Sequence, residues 1–157
     1  MKLIITFDGS CLHGVDGAGA AVACNEDGVE LARRARYLPE PDVTVNVAEY
    51  MGLELALGLA RDLGATDVEV LGDSELIVRQ YNGDYVCRKE HLKPLLARAR
   101  ALAAEIPATV VVRELPKSRK HQHNHDRSKQ PKMRRRNGNV EADALASECR
   151  RARKNLP

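Results

Sequence analysis

The sequence is poor in aromatic side chains, with no Trp, one Phe and four Tyr among its 157 residues. Proteins that hold single-stranded nucleic acid often stack its bases on aromatic rings, so this scarcity weighs against an aromatic stacking platform. The chain also lacks a run of 18 apolar residues, and it begins with a strand-like segment rather than a signal peptide. We therefore expect a soluble, unexported protein that forms a single domain over residues 1–157.

Cysteine is sparse and dispersed. The four thiols lie far apart in the sequence and form no C-x-x-C pair: Cys11, Cys24, Cys87 and Cys149. A disulfide framework or a structural zinc site would need a more regular spacing. The pattern favours reduced thiols, and hence a cytoplasmic protein.

Charge is unevenly distributed along the chain. Residues 1–112 carry 11 Lys/Arg against 17 Asp/Glu, a net charge of −6, whereas residues 113–157 carry 14 against 5, a net charge of +9. This asymmetry predicts an acidic site next to a basic arm. An acidic site would repel nucleic acid unless cations occupied it.

The first half of the chain has the pattern of an antiparallel meander followed by a helix. The apolar segment before Asp8 predicts a strand that is buried on both faces, in the middle of a sheet. Two further strands are predicted at 20–24 and 29–37, with turn residues between them. Leucines at helical spacing then predict a heavily buried helix over 46–63.

The second half alternates strands and helices. Strands are predicted at 67–71 and 109–113, and helices at 74–81, 90–105 and 139–154. Such alternation implies parallel strands joined by right-handed crossovers. The predicted fold is therefore α/β, a mixed five-stranded sheet of three antiparallel and then two parallel strands, flanked by helices.

A basic segment interrupts this regular pattern at about 116–138. It has nine Lys/Arg, one acid and no apolar residue except Met133, so it cannot bury enough apolar surface to fold alone. One interpretation is a solvated, disordered insertion. We favour contact with phosphates, because the segment adjoins the predicted acidic site and offsets its field.

Four acids occur where strands end or helices begin, and each has an ordinary structural explanation. Asp8 precedes Gly9, a common turn dipeptide. Glu49 follows Asn46 at the spacing of a capping box, and Asp73 could cap the next helix. Asp143 could complement the dipole of the last helix.

The same four acids can also be explained together. In open α/β sheets, sites form at the carboxyl ends of parallel strands, where Asp8 and Asp73 would lie. Glu49 and Asp143 open helices that could pack beside that edge. Convergent carboxylates repel one another, and divalent cations would remove the conflict. Mg²⁺ prefers oxygen ligands, and two such ions can promote phosphodiester hydrolysis.

Motifs around these acids resemble type 1 ribonuclease H, in that family's order and over nearly the whole chain. They are Phe7-Asp8-Gly9-Ser10, Asn46-x-Ala48-Glu49-Tyr50, Gly72-Asp73-Ser74-Glu75-Leu76-Ile77-Val78 with Gln80, and Asn139-x-x-Ala142-Asp143-x-Leu145-Ala146. The resemblance implies a ribonuclease H-like fold and endonucleolytic cutting of the RNA strand of an RNA–DNA hybrid. It also implies two Mg²⁺ or Mn²⁺ ions. Apart from the resemblance, we expect a monomer and, since the chain lacks a long apolar run, no membrane partner.

The resemblance further implies roles for individual residues. Asp8 would bridge both ions, with Glu49 and Asp73 on one ion and Asp143 on the other. Four residues match positions that contact RNA sugars and backbone, where the 2′-OH distinguishes RNA from DNA: Gly9, Ser10, Asn46 and Glu75. Apart from the resemblance, we consider Arg88 and Lys89, between the second and third predicted helices, as weaker candidates for contacting the DNA strand.

The basic segment is longer than the family's usual connection, and it contains alternating His121, His123 and His125. Some family members carry a mobile histidine near the metals, so one of these three could handle protons or assist product release. The alternatives are solvated loop residues and a separate metal site, which lacks a nearby cysteine.

Two other functions remain open at the level of sequence. The chain could be a phosphodiesterase of the same superfamily that cuts DNA or single strands. It could also be a noncatalytic nucleic-acid binder that uses the basic segment. The four intact acids weigh against the second alternative, because a binder gains nothing from clustered like charges.

Overall fold

The computed structural model describes residues 1–115 and 134–157, with side chains described for 1–115 and 140–157. Within these residues, one sheet is formed by β1 (Lys2–Leu12), β2 (Asp16–Cys24), β3 (Glu30–Leu38), β4 (Asp67–Gly72) and β5 (Thr109–Glu114). The helices in the same described ranges are α1 (Val45–Asp62), α2 (Glu75–Asn82), α3 (Lys93–Ala104) and α4 (Arg134–Ala152).

The strand order across the sheet is β3-β2-β1-β4-β5. Neighbouring strands are antiparallel from β1 to β3, whereas β4 is parallel to β1 and β5 is parallel to β4. This arrangement confirms the predicted mixed sheet. It also places β1 at the centre, where Leu3, Ile5 and Phe7 are fully buried.

The two faces of the sheet have different partners. The larger core packs alternate residues of β1 and β4 against leucines of α1 and residues of α3. On the other side, the small residues Ala18, Ala20 and Val22 of β2 pack with buried residues of α4. Asp8 and Ser10 of β1 pair with Ala20 and Ala18 of β2. Because α4 packs on these two alanines, it lies beside Asp8 and Ser10.

Several element boundaries differ from those predicted. β1 continues beyond Asp8 to Leu12, because residues 9–12 pair with 16–19 of β2. α3 begins at Lys93 rather than at 90, with Pro94 in its first turn, where the fixed φ and missing N–H of proline are tolerated. α4 begins at Arg134 rather than at 139, so residues 134–138 are helical. The remainder of the predicted basic loop, 116–133, lies outside the described residues.

Three glycines allow α1 to approach β1 and β2 closely. A Cβ on Gly9 would lie 2.5 Å from the backbone of Ala48 and Glu49, and one on Gly52 would lie 2.6 Å from the carbonyl oxygen of Asp8. A Cβ on Gly19 would lie 2.5 Å from the Gly52 nitrogen. Real Cβ atoms do not come this close to backbone atoms. The first half of α1 is therefore held against the strands by the absence of side chains.

We expect Gly52→Ala to lower the free energy of unfolding by about 1–3 kcal/mol, because the added methyl group overpacks a backbone contact. Gly58→Ala is the matched control in the same helix, since its Cβ would have only one neighbour, a guanidinium nitrogen at 3.6 Å. That control should stabilise the protein by up to about 1 kcal/mol through helix propensity. Urea unfolding of both variants measures the difference, and an equal response would contradict close packing at Gly52.

Among the described helices, none is both long and apolar enough to cross a membrane. All four cysteines are described, and each is a free thiol. The buried Cys149 donates its S–H to the carbonyl oxygen of Lys154 at 3.0 Å, which satisfies one backbone acceptor just beyond the end of α4. Cys149 thus acts in packing and helix termination.

Candidate acidic site

Three of the predicted acids meet at one edge of the sheet. Carboxylate oxygens of Asp8, Glu49 and Asp73 all lie within 4.8 Å of one another. Asp8 comes from β1, next to the last residue pair that joins β1 to β4, and Asp73 directly follows β4. Glu49 comes from the first half of α1, which the glycine contacts hold against Asp8. Asp8 and Glu49 are buried, whereas Asp73 is exposed.

The ordinary structural explanations for these acids do not hold in the folded chain. Asp8 lies within β1 rather than in a turn. Thr44 caps α1 by accepting from the N–H of Val47, so Asn46 and Glu49 form no capping box. Ser74, not Asp73, caps α2. Helix termini therefore do not account for the positions of Glu49 and Asp73.

Burial and like charge raise the pKa values of the two inner acids. Burial raises the pKa of Glu49 to about 9, with the negative charges of Asp8 and Asp73 adding to the effect. The pKa of Asp8 rises to about 7, chiefly by burial, while the hydrogen bond with Glu49 opposes the rise. The titrations of the two carboxyls are coupled, so burial and mutual repulsion keep protons on the pair to a higher pH than on an isolated carboxyl.

The donor set fits a divalent cation. Among the described residues, Glu49 Oε2 is buried without a hydrogen-bond partner, which is costly for a carboxyl oxygen. A hard cation would satisfy this atom and remove the repulsion among the three acids. Asp8, Glu49 and Asp73 together offer only oxygen ligands, as Mg²⁺ and Mn²⁺ prefer. The residues present are therefore able to hold such an ion.

Asp143 reaches the same site from the opposite face of the sheet. It lies on α4, is exposed, and interacts with the carboxyl of Asp8, whose pKa it raises further. It is not one of the three residues whose oxygens lie within 4.8 Å. Because α4 begins at Arg134, Asp143 lies well inside the helix, beyond the first turn where a carboxylate would complement the dipole.

The predicted RNA-contacting residues lie within three positions of the clustered acids in the sequence. Gly9 directly follows Asp8 and donates its N–H to Asp8 Oδ1 at 2.9 Å. Ser10 and Asn46 are half-buried, in β1 and in the first turn of α1. Glu75 opens α2, forms an ion pair with Arg79 at 3.2 Å and accepts a hydrogen bond from Tyr85 at 2.9 Å. Glu75 thus belongs to a local network at the rim.

Arg88 and Lys89 are exposed in the connection between α2 and α3. Their neighbour Cys87 lines a cleft of about 400 Å³ between these helices, together with Lys93 and Arg100. Lys93 is paired with Glu90 at 2.6 Å, and Arg100 donates to the carbonyl oxygens of Gln80 and Tyr81. The three candidate histidines, His121, His123 and His125, fall outside the described residues.

Sequence reasoning missed a second polar cluster beside the acids. Asp16 in β2 is buried and contacts Tyr37 of β3 and Arg150 of α4. Arg150 also contacts Ser10. The only sequence signal was an acid, Asp16, between glycines in a segment that otherwise looked like a flexible turn. That signal could not reveal partners so distant in the chain.

A known family matches the part of the chain that carries the three clustered acids. A sequence profile described as reverse transcriptase-like matches residues 6–113, which include Asp8, Glu49 and Asp73. The chain belongs to the reverse transcriptase-like family. The matched residues end before Asp143, so the family match does not include the fourth acid. Its position near Asp8 comes from the structure.

The reverse transcriptase-like chain also has curated relatives. The bifunctional protein Rv2228c of Mycobacterium tuberculosis is 37% identical to it over 107 residues. These residues are 67% of this chain but only 29% of the relative. The match therefore spans less than a third of the curated relative, and concerns one part of it.

Solved structures share the fold of this reverse transcriptase-like protein. RNase H1 from the archaeon Halobacterium salinarum has a TM-score of 0.74 and 27% identity, with coverage of 94% of this chain and 96% of that one. The N-terminal RNase H domain of Rv2228c has a TM-score of 0.75 and 29% identity, with coverages of 97% and 95%. LC11-RNase H1, solved with an RNA/DNA hybrid, has a TM-score of 0.73 and 28% identity, with coverage of 93% of this chain and 94% of that one. The fold is thus that of ribonuclease H.

Proposed function

We propose that this protein is a metal-dependent endonuclease that hydrolyses the RNA strand of RNA–DNA hybrids. The observation that carries the proposal is the partly buried cluster of Asp8, Glu49 and Asp73, on a fold shared with RNase H1 structures at 27–29% identity. One of those structures holds an RNA/DNA hybrid. A noncatalytic binder would have no use for a cluster whose repulsion opposes folding.

Asp8, Glu49, Asp73 and Asp143 would hold the divalent cations in this proposal. A pair of bound Mg²⁺ or Mn²⁺ ions would supply an activated water and stabilise the leaving oxygen. The raised pKa values of Asp8 and Glu49 mean that a cation would have to displace bound protons, so affinity for the cation should increase with pH. Asp143, which is exposed on α4 and interacts with Asp8, would add a carboxylate from the other side of the sheet.

The surrounding side chains would recognise the hybrid by its shape. Gly9, Ser10, Asn46 and Glu75 would contact RNA sugars and backbone, and an amide such as Asn46 can both donate and accept. Arg88 and Lys89 would contact phosphates of the DNA strand from the exposed α2–α3 connection. None of these groups is arranged to read base sequence, so cleavage should depend little on sequence.

A gel assay with a labelled RNA–DNA hybrid tests the proposal. We expect internal cuts in the RNA strand with Mg²⁺ and none with EDTA, whereas duplex DNA and single-stranded RNA should stay intact. Cleavage of duplex DNA or single strands would instead favour a different phosphodiesterase of the superfamily. Binding of the hybrid without any cleavage would favour a noncatalytic module.

The basic segment between β5 and α4 should strengthen substrate binding. Replacing Lys117, Arg119 and Lys120 by Gln removes three charges without shortening the chain. Each phosphate interaction that the substitutions remove should reduce the slope of log affinity against log salt by up to about 0.9. This slope is obtained by measuring hybrid affinity from about 50 to about 300 mM salt, a range that includes the physiological ionic strength of about 150 mM. An unchanged affinity and slope would identify these residues as solvated.

A further inference from the structure

Four polar side chains form a continuous path from β3 to β1. The Tyr37 hydroxyl donates to Asp16 Oδ2 at 2.8 Å, and Arg150 Nη1 lies 3.7 Å from Asp16 Oδ1. Arg150 Nε then donates to the hydroxyl oxygen of Ser10 at 3.3 Å. Each residue comes from a different element, and the path ends two positions after Asp8 in β1.

Asp16 is too deeply buried for an ordinary surface charge. Its side chain is only 4% exposed, and a carboxylate at that depth requires compensation by charge and hydrogen bonds. Yet Oδ1 has no hydrogen-bond partner among the described residues. The guanidinium is close enough to pair with Asp16 but gives its Nε–H to Ser10 instead. The fork of the guanidinium thus spans both groups, with Nη1 toward Asp16 and Nε toward Ser10.

The bond from Arg150 also restricts the hydroxyl of Ser10. A serine oxygen has two lone pairs and one hydrogen, and the Nε–H occupies one lone pair. The hydrogen of Ser10 is then directed away from Arg150 as a donor. A ribose 2′-oxygen is an acceptor that DNA lacks. An oriented donor beside the acidic cluster would therefore favour RNA over DNA.

We propose that Arg150, oriented by Asp16 and Tyr37, is a positioning residue for Ser10 and thereby strengthens recognition of the RNA strand. This inference rests on the proposed function only in taking the hybrid as the ligand. Its Nε–H contacts Ser10 within the protein, so the role proposed for Arg150 is to orient Ser10 rather than to contact the reacting atoms. The network also joins α4, which carries Asp143, to the strand that carries Asp8.

Binding measurements on variants of the full chain test the network. The variants are Tyr37→Phe, which removes one hydroxyl, Arg150→Lys, which keeps the charge but loses the fixed fork of donors, and Ser10→Ala. All are made in an Asp73→Asn background to prevent cleavage. Fluorescence anisotropy gives Kd for an RNA–DNA hybrid and for duplex DNA of the same sequence. The exposed neighbour Arg151→Lys is the matched control.

We expect Arg150→Lys and Ser10→Ala each to weaken hybrid binding about 5–10-fold, the effect of one hydrogen bond, and DNA binding less than about twofold. Tyr37→Phe should weaken hybrid binding about two- to fivefold, since it loosens Asp16 only. The double variant of Arg150 and Ser10 should bind the hybrid about as tightly as the single variant with the larger loss. Both substitutions disrupt the same contact, so their losses should not multiply. Arg151→Lys should change neither constant.

Three outcomes would each overturn the inference. The losses of affinity could multiply in the double variant, or they could be equal for the hybrid and duplex DNA. Hybrid binding could also be unchanged in both Tyr37→Phe and Arg150→Lys. Melting temperatures of all variants show whether any loss reflects unfolding, because Tyr37→Phe removes the hydrogen bond to buried Asp16 Oδ2 and leaves only the ion pair with Arg150. Cleavage by the unmodified protein is scored separately. Hybrid binding without cleavage would remove the proposed function, whereas cleavage with multiplying losses would remove only this network.

Discussion

Asp73→Asn is expected to lower the rate of hybrid cleavage about a thousandfold. Asparagine keeps the shape of the side chain but loses the negative charge that a cation requires. Metal ions supply several kcal/mol of transition-state stabilisation, and each 1.36 kcal/mol is a factor of about ten in rate. Asp73 is exposed at the end of β4, so the substitution should disturb neither the core nor the sheet.

A control variant needs the same Asp→Asn change at a position outside the acidic site. Asp67→Asn provides it, since Asp67 is exposed at the opposite end of the same strand. Single-turnover cleavage at saturating Mg²⁺ should show a normal rate for Asp67→Asn. Hybrid affinity of Asp73→Asn should stay close to that of the unmodified protein. A near-normal cleavage rate for Asp73→Asn would contradict the assignment of this acid to the metal.

The second large effect is expected without any substrate. In EDTA, the free energy of unfolding should fall steadily from about pH 4 to about pH 9. In the folded chain the pKa values of Asp8 and Glu49 rise to about 7 and about 9, whereas their ordinary values are 3.8 and 4.5. Between these limits the unfolded chain binds fewer protons than the folded chain, so a rise in pH favours unfolding.

Removing one of these charges should reverse part of the loss. Asp8→Asn is expected to raise the free energy of unfolding at pH 8 by about 1–2 kcal/mol in EDTA, since one pKa unit corresponds to 1.36 kcal/mol. The gain should vanish near pH 4, where both carboxyls are protonated. Asp67→Asn should produce no comparable change. Thermal melts at about pH 4, 6 and 8, which extend from the ordinary pKa of Asp8, 3.8, to above its raised pKa of about 7, measure the trend.

Millimolar Mg²⁺ should raise the melting temperature of the unmodified protein and flatten its pH dependence, because a ligand that binds only the folded state stabilises it. Asp8→Asn should gain less from the metal. A helix-cap role for the acids would give the opposite pattern, with Asp8→Asn neutral or destabilising and no response to Mg²⁺. The two sets of melting curves distinguish these outcomes.

Much of the fold was predictable from local patterns. The apolar run in β1 and the leucine spacing in α1 reflect burial, which acts directly on residue type, so both elements were predicted with small errors at their ends. The acids were predictable as a set because sheet topology brings the carboxyl ends of parallel strands together. Asp8 and Asp73 follow from that rule, and Glu49 from the helix that crosses beside it.

Other features depend on contacts that a sequence does not display. The continuation of β1 past Asp8 required its pairing with β2, which the glycine-rich segment concealed. The early start of α4 overrode Gly138, a residue that usually weakens a helix. Asp16 and Arg150 are 134 positions apart in the printed sequence. No periodicity links two polar residues at that distance, so their ion pair emerged only from the folded chain.

The close approach of α1 to the sheet has a consequence for mutational tolerance. In a saturation scan scored by activity, Gly9, Gly19 and Gly52 should lose activity increasingly as the introduced side chain grows, whereas the acids should not tolerate even small neutral substitutions. Expression and solubility would separate the two groups: glycine variants should be destabilised and less abundant, whereas Asp73 variants should accumulate as intact, inactive protein. A designer who transplants the acidic cluster to another scaffold would therefore need to carry these glycines with it.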